Sequence, residues 1–283
     1  MPNLVNFGSA VSAIRGIPLR YRADVPPASA EPPAHVRAGF GARDIEPEPV
    51  DGSNSWRCGD ILLKPVSDTA EAAWVASTLD GLRTGNLRIA RPLRTTDGRW
   101  VLGGWTASRY VAGRPEPRHD AVIAASLRLH ASTARLPRPR FLDGRQDVLA
   151  VADRVAWQEQ ELSIESELFG ELSELAEPTR LRAQVVHGDL FGNVLFAGSA
   201  PPAIVDFVPF FRPPEWAAAV IAVDALAWGD ADLGLIRRWA HLSSWPQMLL
   251  RALLFRIATV ALHPDSTEES LAGLHKAADL IAS

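Results

Sequence analysis

The spacing of apolar residues changes character once along this chain, and that change limits the fold more than any single motif. Up to about residue 113 the apolar residues come in short β-type runs. "SWRCGDILLKPV" reads as two strands around a Gly-Asp turn, and "DGRWVLGGW" and "SRYVAG" as two more. One helical stretch interrupts them, "SDTAEAAWVASTLDGLR", with Ser67, Asp68 or Thr69 placed to cap it. After Arg118 the spacing turns helical, in "HDAVIAASLRLHAST", "WQEQELSIESELFGELSEL" and "MLLRALLFRIATVALH". The exception is residues 184–208, where "QVVHGD", "NVLFAG" and "AIVDFV" are short β runs joined by turns. A small β-rich half followed by a larger, mainly helical half gives an α+β, two-lobe architecture with its site between the lobes. The lobes fall at residues 34–113 and 114–283, with "AHVRAGFGA" as a short helix leading in. Residues 1–33, ending in "ADVPPASAEPP", read as a flexible extension, because Pro removes backbone donors and breaks periodicity.

Charge and composition exclude several partners. The 283 residues carry a formal net charge of −4, which gives no global basic field for nucleic acid or an anionic membrane. A single cysteine, Cys58, excludes an internal disulfide and suits a reducing cytoplasm. The first residues lack the basic start and long apolar core of a signal peptide. No uncharged apolar run reaches about 18 residues, so no membrane span is expected. The longest candidate read from the sequence, Trp216–Trp228, carries Asp224.

The chemistry concentrates in "VVHGDLFGNVLF" and "AIVDF". Moving a phosphoryl group to a hydroxyl requires a carboxylate to orient the hydroxyl and take its proton. It also requires hard oxygen ligands to hold Mg²⁺ against the phosphates. Asp189 fits the first role, and Asn193 and Asp206 the second. The runs between the two ligands form a hairpin that returns them to one place. Upstream, Lys64 ends the apolar run "DILLKPV"; a cation there is costly unless its charge is used, as phosphate would use it. Backbone donors of the small polar loop at Ser53, Asn54 and Ser55 can cover phosphates, although the loop is not a G-x-G-x-x-G.

Taken in order, "LLKP", "SRYVAGRP", "SLRLHA", "HGDLFGNVLF", "IVDF" and "VDALAW" resemble the aminoglycoside phosphotransferase/choline kinase-like family. The resemblance spans roughly residues 50–260 and looks closest to an actinobacterial branch. It implies a bilobal protein-kinase-like fold and the cofactors ATP and Mg²⁺, with a small-molecule acceptor. Lys64 would contact the α- and β-phosphates, Asp189 would be the base, and Asn193 and Asp206 would bind Mg²⁺. His187, in the catalytic motif, would fix the loop by hydrogen bonds. Arg109, Tyr110 and Val111 would lie along the adenine. The family pairs its lysine with a glutamate on the next helix, for which Glu71 is the nearest candidate.

The chain departs from the family in one telling place. The family usually has four residues between the Asp and the Asn; here there are three, Leu190, Phe191 and Gly192. A missing residue moves Asn193 by up to ~3.5 Å in an extended chain, unless Gly192 takes up the difference. The alternative that this raises is a nucleotide-binding pseudokinase or scaffold without catalysis. An enzyme acting on protein is disfavoured by "DFVPF", which leaves no activation-loop switch. The seven Glu in residues 157–177 read as a solvated face, with attraction of a cationic acceptor as the sharper alternative. Trp105, Trp216 and Trp228 stand near motif segments, and packing is their simplest role. Arg212 and Glu215, just past Asp206, border the expected acceptor pocket.

Overall fold

The structure is a computed structural model that describes residues 31–50, 53–264 and 266–283. The expected extension up to residue 30 lies outside the described residues. Within residues 31–33, Glu31 pairs with Arg37 at 3.5 Å and the Pro33 carbonyl accepts from Val36 and Arg37.

The first half is an antiparallel sheet with two helices. Helix α1 (Ala34–Gly39) leads into β1 (Glu48–Pro49), β2 (Trp56–Cys58) and β3 (Ile61–Pro65). Helix α2 (Thr69–Gly81) follows, then β4 (Arg88–Ile89), β5 (Pro92–Leu93), β6 (Val101–Leu102) and β7 (Trp105–Arg109). Sheet order is β1-β2-β3-β7-β5, with β6 on β7. The turn between β2 and β3 is at Gly59-Asp60, as the pattern predicts. Asp68 caps α2, its carboxylate accepting from the amides of Ala70 at 2.7 Å and Glu71 at 3.0 Å. "SRYVAG" does not continue as a strand: β7 stops at Arg109, and the chain runs on without regular structure to α3 (His119–Thr133).

The second half is helical around a β insert. After α3 come a 3₁₀ turn at Arg140–Asp143, α4 (Val148–Ala156) and α5 (Glu167–Glu174). The insert holds β8 (Gln184–His187), β9 (Val194–Leu195), β10 (Ala203–Ile204) and β11 (Pro209–Arg212). Helices α6 (Pro214–Trp228), α7 (Leu233–Trp239), α8 (Trp245–Leu262) and α9 (Glu268–Ala282) complete the chain. Helix α6 is apolar all round and buried along nearly its whole length, so it forms the axis of the core. Its alanines let α3, α8 and α9 approach closely. Trp105, Trp216 and Trp228 are all buried, which makes them core residues.

Three features differ from the sequence expectation. The acidic stretch 157–177 is not one helix. Gln158 takes a left-handed φ of 58° and ends the run after α4, and α5 starts afresh with Ser166 as its cap. Strand β4, unmarked in the sequence, pairs in parallel with β10, with Arg88 beside Ala203. Accordingly Leu79, Leu82, Leu87 and Ile89 pack in the larger core, while a separate small core gathers Val36, Phe40, Cys58, Leu63 and Trp105. Finally, among the described residues α8, rather than Trp216–Trp228, is the helix long and apolar enough to cross a membrane by length and composition. It is largely buried here and carries Arg251 and Arg256.

Candidate active site

Asn193 and Asp206 lie at the same end of the hairpin that β9 and β10 form. Val194 faces Ile204 across the ladder, and the Val205 amide donates to the Asn193 carbonyl at 3.0 Å. Asp206 follows directly, with a left-handed φ of 56°. Asp tolerates that region better than most residues, at a cost of about 1 kcal/mol. Its carboxylate forms an ion pair with the Lys64 ammonium, carried across from β3. A residue from each half of the chain thus meets at one point.

The shortened loop closes as a turn. The Asn193 amide donates to the Leu190 carbonyl at 3.0 Å, and Gly192 has φ 81°, the value a type II turn requires at its third position. The Asn193 side chain, 3% exposed, donates through Nδ2 to the Asp189 carbonyl at 2.6 Å. That bond assigns the amide oxygen, Oδ1, as the atom turned to other partners. Gly192 therefore lets the three-residue loop close, and the Val205–Asn193 bond sets Asn193 at the same hairpin end as Asp206.

His187 braces this loop. Its Nδ1 accepts from the Asp189 amide at 3.2 Å, and its Nε2 lies 3.4 Å from the Val205 carbonyl. Its own amide donates to Nε2 of His130, the "LRLHA" histidine, at 2.9 Å. Nδ1 of His130 faces the Ser126 hydroxyl at 3.3 Å. Only a neutral His130 ring can accept at Nε2. Burial, with His187 adding to it, pushes its pKa down to about 3.

Asp189 has a partner that its own loop does not supply. Its Oδ1 accepts from Arg256 Nη2 at 2.8 Å. Arg256, on α8, also donates from Nε and Nη2 to the two carboxylate oxygens of Asp224 on α6, at 2.7 and 2.6 Å. Asp224 is fully buried, and burial raises its pKa to about 6 even though Arg256 acts to lower it. Burial also works against the Arg256 charge, but Asp224 and Asp189 outweigh it and raise the guanidinium pKa.

The remaining expected positions have the following partners. The ion pair at Glu71 is with Arg145, at 3.5 Å. Burial raises the Glu71 pKa; Arg145 counters this most and Lys64 least. Arg145 comes from the second half, where it also binds Asp147 at 2.7 Å and the Pro209 carbonyl at 2.8 Å. At 53–55, the Ser53 amide donates to Val50 and the Ser55 amide to Ser53 Oγ, at 3.1 and 3.0 Å. Those two donors close a turn rather than point to a phosphate. At the link between the halves, the Arg109 amide donates to Arg91 at 2.7 Å and the Tyr110 amide to Asp60 at 2.8 Å. Both are used within the sheet, and the Arg57 guanidinium covers the Tyr110 ring at 4.1 Å. Val111, just beyond, is the position of the three whose backbone has no partner among the described residues. Arg212 is held by Asp153 and Glu159 and stacks on Trp157 at 4.6 Å, which leaves it a brace rather than a contact for an acceptor.

These observations describe a site in which a lysine, an aspartate, an asparagine and a second aspartate converge between two unequal halves. Solved structures share this architecture. A choline/ethanolamine kinase family protein from Mesorhizobium loti superposes with a TM-score of 0.55 at 17% identity, over 87% of this chain and 90% of that one. The chain has the aminoglycoside phosphotransferase/choline kinase fold. This protein-kinase-like fold is also seen in a thermostable mutant of aminoglycoside phosphotransferase APH(4)-Ia, in ternary complex with AMP-PNP and hygromycin B. The TM-score there is 0.55 at 15% identity, over 88% of this chain and 97% of that one. Choline kinase LicA from Streptococcus pneumoniae gives 0.53 at 10% identity, over 88% and 98%. No family model matches the sequence, and no curated protein matches it.

Among the described residues no group of three or more His, Cys, Asp or Glu could hold a metal ion. A Mg²⁺ site needs no such cluster, because Mg²⁺ takes one or two protein oxygens and completes its shell with phosphate and water. Asn193 and Asp206 match that donor set, and the Lys64 ammonium already supplies Asp206 with a cation.

Proposed function

We propose that this protein is an ATP- and Mg²⁺-dependent phosphotransferase that moves the γ-phosphoryl group to a hydroxyl of a small molecule. The observation that carries this reading is the arrangement of Lys64, Asp189, Asn193 and Asp206, which three separate segments of a kinase-like fold bring together through the Lys64–Asp206 ion pair, the Asn193–Asp189 hydrogen bond and the hairpin between them. Lys64 is the residue for the α- and β-phosphates, and Asn193 and Asp206 are the ligands for Mg²⁺. When bound, Mg²⁺ neutralises phosphate charge. Asp189 orients the acceptor hydroxyl and takes its proton on Oδ2, the carboxylate oxygen that Arg256 does not engage. Val111 offers backbone groups at the edge of the nucleotide site. Rate enhancement comes from positioning and preorganised charge, as in other phosphoryl transfers.

The rival reading, a nucleotide-binding scaffold without catalysis, rests on the shortened loop. That loop closes as a turn and leaves Asn193 at the same hairpin end as Asp206, so it does not favour the rival. A thermal-shift titration with ATP, with and without Mg²⁺, tests the reading on wild type and Asp206→Ala. Ligand at ~100 times its dissociation constant stabilises a binder by about 2.7 kcal/mol. The reading requires a Mg²⁺-dependent shift in wild type that Asp206→Ala loses. It fails if wild type shows no shift.

A further inference from the structure

Arg256 is the least expected charge in the protein. It lies 3% exposed within α8, flanked by Phe255 and Ile257, both fully buried. An arginine in such a helix has to be paired, and a paired buried charge rarely outdoes an apolar residue of similar volume for stability. Stability alone therefore does not account for it. Its bonds do. The planar fork fits both oxygens of Asp224, which fixes the plane of the guanidinium. The same Nη2 then reaches Asp189 Oδ1 at 2.8 Å. Asp224 belongs to α6, the buried axis of the larger half, so the anchor is rigid.

We propose that Arg256 is a positioning residue that holds the Asp189 carboxylate through Oδ1 and so presents Oδ2 to the acceptor hydroxyl. This rests on the phosphotransferase reading above. Arg256 acts from 67 residues downstream of Asp189 in sequence, on a different element. It supplies from α8 a constraint that the three-residue turn does not supply from within. Asp224 in turn holds Arg256 and has no direct part in the reaction.

The test uses the full chain with Mg–ATP alone, reading ADP release to water, in wild type, Arg256→Gln and the double variant Arg256→Gln/Asp224→Asn. Arg256→Gln leaves Asp224 buried without its cation, and that variant is expected to unfold readily. The double variant removes both charges and is expected to regain the wild-type Tm and to bind Mg–ATP as wild type does. Its kcat stays lower by ~10²-fold, the scale of a misplaced reacting group. In its crystal structure the Asp189 carboxylate leaves its place or spreads over more than one rotamer. A double variant that recovers kcat together with Tm would overturn the proposal, because Arg256 would then be structural only. An unmoved Asp189 carboxylate would overturn it too, even where turnover is too slow to read. A wild type that neither binds Mg–ATP nor releases ADP would remove the phosphotransferase reading, and the proposal with it.

Discussion

Lys64 on β3 and Asp206 after β10 form an ion pair between the two halves of the protein, their side chains 30% and 15% exposed. The lysine proposed for phosphate and the aspartate proposed for metal neutralise one another. Under the proposed function, Mg–ATP exchanges this pair for two others, with Lys64 passing to phosphate and Asp206 to metal.

Lys64→Met therefore has two separable effects. It destabilises the nucleotide-free protein by on the order of 1 kcal/mol, since the pair is partly solvated. It also removes most of the stabilisation by Mg–ATP. Thermal unfolding with and without Mg–ATP reads both. An unchanged nucleotide shift in Lys64→Met would place the phosphates elsewhere.

Acid stability is tied to His130. The unfolded ring titrates near 6.5 and the folded ring at about 3, so between these values the unfolded chain binds the extra proton. Stability held above pH 6.5 is lost as pH falls towards 3, at up to about 1.4 kcal/mol per pH unit. Asp224 acts in the opposite direction. Its folded pKa of about 6 lies above its unfolded value, so its protonation adds stability as pH falls from 6 towards 4. Comparing denaturant unfolding of wild type and His130→Gln from pH 7 to 4 isolates the histidine. The difference between them shifts in favour of the variant as pH falls. Parallel curves would contradict the assignment of a neutral, accepting His130.

Two glycines of the loop separate steric from backbone effects. A Cβ at Gly188 would lie 2.3 Å from Cδ2 of Phe210, a ring locked against Trp216 and Phe255. Gly188→Ala costs about 1–3 kcal/mol through overpacking. At Gly192 there is open space, and only the φ of 81° resists a side chain. Gly192→Ala costs about 1–2 kcal/mol, and Gly192→Asn, which tolerates that region, costs less. Equal costs for Ala and Asn at position 192 would remove the turn as the reason for the glycine.

The residues visible in the sequence are those whose polarity contradicts their surroundings. Asp189, Asn193, Asp206 and Lys64 each interrupt or end a short apolar run, and the runs fix the hairpin that gathers three of them. The helix over "HDAVIAASLRLHAST" was legible for the same reason, through unbroken periodicity. Arg256 interrupts an apolar run as well, but its partners lie 32 and 67 residues away, and nothing local names them. The Glu71–Arg145 pair is hidden likewise, because it depends on how the two halves dock. The bonds of the Ser53, Ser55, Arg109 and Tyr110 amides were not legible, because a sequence shows where amides are, and only the fold shows which are already bonded. The break at Gln158 has no Gly or Pro to mark it.

The most direct test of the account measures Mg–ATP affinity and ADP release together, for wild type and Asp189→Asn, with a mixture of small hydroxyl-bearing acceptors. The account predicts equal affinity in the two proteins, and ADP release that rises with acceptor in wild type and falls by ~10²-fold or more in Asp189→Asn. Equal ADP release from both proteins, or no binding of Mg–ATP by wild type, would contradict it.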